Sequence, residues 1–194
     1  MISADQIKTL RGKTGAGITD IKRALEESGG DLAKAEELIA RKLGSAAAKK
    51  ATRETGAGIV ESYIHSNGRV GAMIEIFCET DFVGRNPQFK ELAHDIAMHI
   101  TAMSPQYLSL ESVSSDVWEK QKSYYVEEVE KLNKPQEIQN QIVEGKLKAY
   151  FGAASLMEQP FIKEQDKTVN TVVKEAIGRF GENIKVGKFV RFEI

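Results

Sequence analysis

Residues 59–78, IVESYIHSNGRVGAMIEIFC, carry a pattern from which much of the architecture follows. Apolar and polar residues alternate on both sides of Asn67-Gly68, and Asn-Gly between alternating segments is the strongest short-range signal for a β-hairpin. A third alternating run lies at residues 184–194. We therefore predict a small antiparallel sheet whose strands are Ile59–Ile64, Val70–Cys78 and Ile184–Ile194.

Helices are predicted between the hairpin and the third strand. Asn86 is a suitable N-cap, Pro87 is pre-set for the first helical position, and apolar residues then recur at i, i+3 and i+4 up to Met103. The body is therefore predicted to be α+β, a small antiparallel sheet packed with helices. Its remaining segments are predicted as a helical hairpin of Asp116–Lys131 and Gln136–Phe151, a loop at Leu156–Phe161 and a helix at Val169–Phe180.

The first 56 residues differ in charge and pattern from the body. They hold 11 basic and 8 acidic side chains, whereas the rest of the chain holds 16 and 20. Apolar residues at helical spacing predict three short helices, separated by turns that include Gly29-Gly30 and an N-capping Asp31. The small and charged residues that follow have no apolar face to bury, which indicates a loose tether. The expected units are a three-helix head at residues 1–44, a linker at 45–56 and an α+β core domain at 57–194.

Composition excludes several classes of protein. A 194-residue chain with 41% hydrophobic residues has enough apolar material for a core, and a net charge of -1 argues against a general nucleic-acid coat. No apolar run has the length of a signal peptide or of a membrane span. One cysteine, Cys78, suits a reducing compartment. We expect a cytoplasmic protein without nucleic-acid or membrane partners.

The motifs of cofactor and metal enzymes are missing from the sequence. There is no phosphate-binding glycine loop, no His-Glu-x-x-His and no paired Cys-x-x-Cys. His94 and His99 stand five residues apart, about 140° around a helix axis, so they are predicted to be helix-surface residues rather than ligands of one ion. No cofactor, metal site or catalytic residue is predicted.

The segment CETDFVGRN, residues 78–86, places a large apolar ring in a predicted connection. In one interpretation Thr80 or Asp81 caps a turn and Phe82 fills the core beneath the following helix. In the other, a rigid loop presents the Phe82 ring and the Asp81 carboxylate to a protein partner, which is the composition of a binding hot spot. The pattern alone leaves both interpretations open.

Several motifs occur in the same order as in one known family. They are LRxxTGAGxxDxKxAL at 10–25, ETDFVxRN at 79–86, Glu144-Gly145, EQPF at 158–161 and FVRF at 189–192. The chain resembles the translation elongation factor Ts family over nearly its whole length. The resemblance implies a guanine-nucleotide exchange factor that binds elongation factor Tu in its GDP form and perturbs the magnesium and phosphate site. GDP is then released and GTP can bind, with no covalent chemistry on this chain.

The resemblance also implies which residues contact the partner. The head looks like a ubiquitin-associated domain that docks on the GTPase, and the family often has methionine where this chain has Ile18 and Thr19. The residues matching Thr80–Val83 form a wedge that pushes into the partner's magnesium and phosphate site. Position 84 is glycine where the family commonly has alanine, which is expected to add freedom to the loop with little effect on this wedge. The implied contact residues are Leu10, Ile18 and Thr19 in the head and Thr80, Asp81, Phe82 and Val83 in the loop.

Chain length points to self-association. Short members of the family pair as homodimers, and a sheet of about three strands leaves one face uncovered, so a homodimer is expected. Two other classes of function remain open at this stage. A ubiquitin-associated-type adaptor would bind through residues 1–56 alone and lack exchange activity, and a small hydrolase or transferase would turn over substrate without a protein partner.

Overall fold

The computed structural model describes residues 2–194, and Met1, which the predicted head includes, lies outside them. Three helices precede an antiparallel sheet that is packed with further helices, so the predicted α+β fold is confirmed. Single 3₁₀ turns lie at Leu110–Ser112 and Leu156–Glu158. The helices and strands are α1 Ala4–Thr14, α2 Ile18–Glu27, α3 Leu32–Lys50, β1 Ala57–Ile64, β2 Val70–Cys78, α4 Asp81–Arg85, α5 Pro87–Met103, α6 Ser115–Glu130, α7 Gln136–Ala154, β3 Pro160–Phe161, β4 Glu164–Thr168, α8 Val169–Phe180 and β5 Ile184–Glu193.

The head is a bundle of α1, α2 and α3. Helix α3 begins where predicted, because the Asp31 carboxylate accepts hydrogen bonds from the backbone N–H groups of Ala33 and Lys34. Gly29 and Gly30, which end the preceding turn, both have the positive φ that glycine adopts most easily. The apolar faces of the three helices enclose a core of their own, made of Leu10, Ala16, Ile21, Ala24, Leu25, Ala35, Ile39 and Leu43.

Helix α3 continues to Lys50, beyond the predicted end near Leu43. Its last turns pack on α8 of the body, where Ala47 is buried in the core and Leu43 lies against Gly178. A Cβ atom at Gly178 would stand 2.5 Å from Leu43 Cδ2, so only glycine allows the two helices to approach this closely. The segment predicted as a linker is therefore helical up to Lys50.

The sheet has the strand order β1-β2-β5, with both neighbours antiparallel to β2. The predicted hairpin and the third strand are confirmed, and Gly68 supplies the positive φ of the connecting turn. One face of the sheet packs against α5, and the other face carries exposed apolar residues. The exposed apolar residues of that outer face are Val60, Ile64, Met73, Phe77, Val190 and Phe192, and Glu75 of β2 lies among them.

Helices α6 and α7 form the predicted hairpin. The Trp118 and Phe151 rings stack with their centroids 4.8 Å apart, and Val129, Leu147 and Val143 are buried between the helices. An ion pair of 2.6 Å between Lys146 and Glu128 joins the two helices at the surface. The many charges on the hairpin thus lie mainly on its solvated faces, while aromatic and aliphatic residues hold it together.

The predicted loop Leu156–Phe161 contains a 3₁₀ turn and strand β3, which pairs with β4. A strand of two residues has no periodicity to detect, so the sequence did not indicate this small hairpin. The prediction of surface histidines is correct for His94, which is half exposed, and wrong for His99, which is fully buried. His99 is buried because α5 contacts the sheet on one side and Gln159 and Phe161 on another.

The environment of His99 fixes its neutral form. Nδ1 accepts a hydrogen bond of 3.2 Å from the Ile162 N–H, so Nε2 carries the proton and donates to Gln159 Oε1 at 3.0 Å. Burial lowers the pKa of His99 below its ordinary value of 6.5. Charging the ring would lose the bond to Ile162 and place a cation in the core.

Stability should therefore fall in acid because of His99. The unfolded chain binds a proton near pH 6.5 and the folded chain only at lower pH, so the contribution is fully present above 6.5 and is lost towards the folded-state pKa. The slope for one proton is at most about 1.4 kcal/mol per pH unit. Urea unfolding from pH 7.5 to about 5.5 should show a steeper loss for the wild type than for His99→Gln. Equal slopes would contradict this account.

Candidate functional site

The connection between β2 and α5 contains a single helical turn, α4, in which Asp81 and Phe82 are exposed and Val83 and Gly84 are buried. Thr80 is the residue that precedes it, and Asp81 and Phe82 are the first helical residues. The Phe82 side chain is 86% exposed, although it is one of the largest apolar side chains in the protein. A large apolar residue that is this exposed on a structured turn is a candidate contact for a partner.

The direction of Phe82 is set by its neighbours Val83 and Gly84, both of which are buried. Val83 enters the core of the body, and Gly84 lies over Cys78 and Gly58. Because successive helical residues point about 100° apart, burying positions 83 and 84 turns position 82 to solvent. The interpretation that Phe82 fills the core is therefore wrong, and Val83 takes that role.

Asp81 stands beside Phe82 with its carboxylate largely exposed. Its one ion pair in the described residues is with Arg85, at 2.8 Å and four positions along the same turn. An exposed pair of this kind contributes little to stability, so the carboxylate can exchange Arg85 for another cation or hydrogen-bond donor. Asp81 and Phe82 thus offer a charge and a ring together at one projecting point.

Hydrogen bonds from a distant part of the chain hold the start of α4. Glu182, in the turn between α8 and β5, accepts from the backbone N–H groups of Glu79 and Thr80 at 3.1 and 3.0 Å and from Thr80 Oγ1 at 2.6 Å. In return, Glu79 Oε1 accepts from the Asn183 N–H at 2.6 Å. No local pattern indicates these contacts, because the partners lie more than 100 residues apart and Gly181 signals only a turn.

The head places the other predicted contact residues on two helices. Ile18 is 45% exposed and Thr19 is exposed, both in the first turn of α2. Leu10 is only 1% exposed and packs in the core of the head. Any effect of Leu10 on a partner would therefore be exerted through the placing of its neighbours. The loop residues lie in and directly before α4, and the head residues lie in α1 and α2.

Within residues 2–194, no group of three or more His, Cys, Asp or Glu side chains is placed to hold a metal ion. No helix in this described range is both long and apolar enough to cross a membrane. Cys78 is buried at the end of β2, where its Sγ lies 3.1 Å from the Thr80 carbonyl oxygen. Burial raises the pKa of this thiol, which keeps it protonated and supports a structural role beneath α4.

Gly84→Ala should stabilise the protein. The new Cβ would lie 3.6 Å from Cys78 Sγ and 3.7 Å from the Gly58 oxygen, which are ordinary contact distances, and alanine favours helix over glycine by about 0.5–1 kcal/mol. Urea unfolding should show a gain of that order. Gly178→Ala is the matched control, which should destabilise because its Cβ would overlap Leu43. A loss of stability in Gly84→Ala would show that α4 has no room at this position.

The chain is similar in sequence to one family of known proteins. The sequence model of the family described as Elongation factor TS matches residues 17–194. The chain is 47% identical to elongation factor Ts of Thermosipho melanesiensis over 194 residues, which cover 100% of this chain and 99% of that protein. It is 48% identical to the protein of the same name from Thermodesulfovibrio yellowstonii over 193 residues, covering 100% and 96% of the two chains.

These matches extend over the head, the projecting turn and the sheet together. A helical head is joined to an α+β body, and an exposed aromatic ring stands on the turn between β2 and α5 as a candidate contact for a partner. The chain belongs to the elongation factor Ts family, whose members are translation elongation factors.

Proposed function

We propose that the protein is a guanine-nucleotide exchange factor for elongation factor Tu. It binds the GDP form of the GTPase and promotes release of GDP, so that GTP can bind in its place. The observation that carries this proposal is the exposed Phe82 ring beside the Asp81 carboxylate on an anchored turn. The family resemblance of the surrounding motif supports the choice of partner.

The proposed mechanism is displacement at the magnesium and phosphate site of the partner. A Mg²⁺ ion bound to a nucleotide neutralises its phosphates and bridges them to the protein. A rigid ring that wedges into the elements around the ion, with a carboxylate beside it, perturbs this coordination and weakens the hold on GDP. Thr80 and Val83 belong to the wedge as its base, since Thr80 is bonded to Glu182 and Val83 is anchored in the core.

The wedge promotes GDP release through its binding energy and takes part in no covalent reaction. A factor that weakens nucleotide binding must itself bind the nucleotide-loaded partner less tightly than the empty partner, because coupling between two ligands is reciprocal. GDP or GTP therefore releases the factor at the end of each cycle. The chain needs no cofactor for this reaction and forms no covalent intermediate.

The head supplies a second contact in this proposal. Residues 1–44 act as a ubiquitin-associated-like domain that docks on the GTPase domain through Ile18 and Thr19, with Leu10 holding α1 in place beneath them. Residues 45–56 join this domain to the core domain at 57–194. Two contact points on one partner raise the local concentration of each, so the head increases the occupancy of the wedge. The reaction takes place in the cytoplasm, where translation factors act.

We also propose that two copies of the chain pair through the outer face of the sheet. The central strand β2 carries Met73 and Phe77 on this face, with Val190 and Phe192 on its neighbour β5. An identical copy is the natural occupant, because a two-fold axis sets the apolar residues of one face against those of the other. The one carboxylate on β2 in this face, Glu75, already accepts a hydrogen bond of 3.1 Å from the Lys188 N–H of the same chain. The core domain then includes the dimer interface.

Release of labelled GDP tests the exchange proposal. Purified elongation factor Tu is loaded with the label and mixed with excess unlabelled GDP, with and without substoichiometric amounts of the chain. The chain should accelerate release and should act many times over, since the nucleotide displaces it after each exchange. Unchanged release at every concentration would remove the proposal.

A further inference from the structure

We infer that Glu182 is a positioning residue for the proposed wedge. The inference rests on the proposed exchange function and adds to it a residue that neither the loop motif nor the head contains. Glu182 lies in the turn between α8 and β5, yet its carboxylate accepts three hydrogen bonds at the base of α4. It touches no reacting group of its own and acts through Thr80.

Helix α4 needs an external support because it is too short to be stable alone. It contains five residues, whereas isolated helices below about 12–15 residues are marginal in water. The Thr80 side chain makes no capping bond to its own helix. Its hydroxyl instead donates to Glu182 Oε1 at 2.6 Å, so the start of the turn is fixed by the body of the protein.

The bonds of Glu182 fix direction as well as position. Oε2 accepts from two successive backbone N–H groups, those of Glu79 and Thr80, while Oε1 holds the Thr80 hydroxyl. Because both carboxylate oxygens are bonded to Glu79 and Thr80, rotation of the peptide between these two residues is restricted. This peptide directly precedes Asp81 and Phe82, so its orientation sets where the exposed ring points.

Asn183, the next residue, connects Glu79 to the segment that follows the head. Its backbone N–H donates to Glu79 Oε1 at 2.6 Å, and its Nδ2 donates to the carbonyl oxygens of Ala51 and Arg53 at 3.3 and 2.8 Å. Asn183 is 2% exposed, so these bonds are protected from water. The turn between α8 and β5 is therefore bonded both to the residues that precede the wedge and to those that follow α3, the last helix of the head.

Hydrogen exchange measured by mass spectrometry tests the positioning without any partner. In Glu182→Ala, the amides of residues 79–86 should exchange at least about tenfold faster than in the wild type, because the base of α4 opens locally. Asp95→Ala is the matched control. It removes a part-buried carboxylate whose one ion pair in the described residues is with Lys163, at 2.7 Å, and it should leave these amides unchanged.

The GDP-release assay then tests the consequence for exchange. At saturating concentration, Glu182→Ala should lower the maximal release rate by about tenfold or more, since small misplacements of a working group have large effects. The concentration for half-maximal effect should change less, because the head contacts remain. Glu182→Gln should stay within about threefold of the wild type, since Oε1 can accept both N–H bonds while Nε2 donates to the Thr80 hydroxyl.

The outcomes separate this inference from the proposed function. Faster amide exchange with unchanged GDP release in Glu182→Ala would overturn the positioning role, and so would unchanged amide exchange. If the wild type does not accelerate GDP release at all, the exchange proposal fails, while the amide data still report on the wedge. If Glu182→Ala does not fold, Glu182→Asp replaces it, because a shorter carboxylate keeps the charge and cannot reach all three donors. The same loss is then expected.

Discussion

Replacing both Asp81 and Phe82 by alanine should lower the chain-stimulated rate of GDP release by at least about 100-fold, since hot-spot side chains carry most of the energy of an interface. The ring is 86% exposed in the free protein, so its removal takes away the wedge and almost no packing. The carboxylate pairs only with exposed Arg85 in the described structure. Alanine also favours a helical turn, so folding should be retained.

Stopped-flow fluorescence of labelled GDP on elongation factor Tu measures this effect, and urea unfolding checks the stability of the variant. Tyr124→Ala with Glu127→Ala is the matched control, since it removes an exposed aromatic ring and an exposed carboxylate from α6. The control should retain the wild-type rate. Equal losses in both variants, or full activity in the Asp81 and Phe82 variant, would contradict the assignment of the wedge.

Single variants divide the effect between shape and charge. Phe82→Ala should show the larger loss, because the ring supplies the volume that displaces elements of the partner. Asp81→Asn keeps the size of the side chain and removes its charge, so any loss it causes measures the electrostatic part of the perturbation. The two single effects need not sum to that of the double variant, since adjacent contact residues couple.

Local signals in the sequence predict the parts of the fold that depend on neighbours along the chain. Asn67-Gly68 places the hairpin turn, and Asn86-Pro87 places the start of α5, as the structure confirms. Helix α8 is predicted with its observed bounds because its apolar residues keep one strict period. Each of these elements carries its own capping or turn residues, so no distant contact is needed to specify it.

The sequence fails where a distant contact decides. Helix α3 continues beyond its predicted end because Ala47 packs on the body, and no residue within α3 indicates that contact. His99 is buried by the segment around Gln159, which lies 60 positions away in the chain.

The candidate site shows both cases. The motif around Phe82 predicts contact residues through the family resemblance, whereas the pattern alone cannot tell whether the ring points inward or outward. The structure settles that direction by burying Val83 and Gly84. The support from Glu182 is formed over 103 and 102 positions and has no local trace in the sequence.

Met73→Asp should convert the expected dimer to monomers. Met73 lies on the central strand of the outer face, between Ser62 of β1 and Val190 of β5, and is 47% exposed in the single chain. In a two-fold interface each substitution occurs twice, and an unpaired carboxylate buried against an apolar face costs several kcal/mol, so the dissociation constant should rise at least about 100-fold. Because the side chain faces solvent in the monomer, the sheet itself should remain folded.

Sedimentation velocity at micromolar concentration decides the matter, with Met103→Asp as the matched control. Met103, at the end of α5, is 43% exposed, so its replacement introduces the same charge at a similarly exposed methionine away from the outer face. The wild type and Met103→Asp should sediment as dimers and Met73→Asp as a monomer. A monomeric wild type would remove the dimer, whereas a dimeric Met73→Asp would move the interface to another surface. The apolar residues of β1, β2 and β5 would then require a different occupant, because six exposed apolar side chains on one sheet face are unfavourable in water.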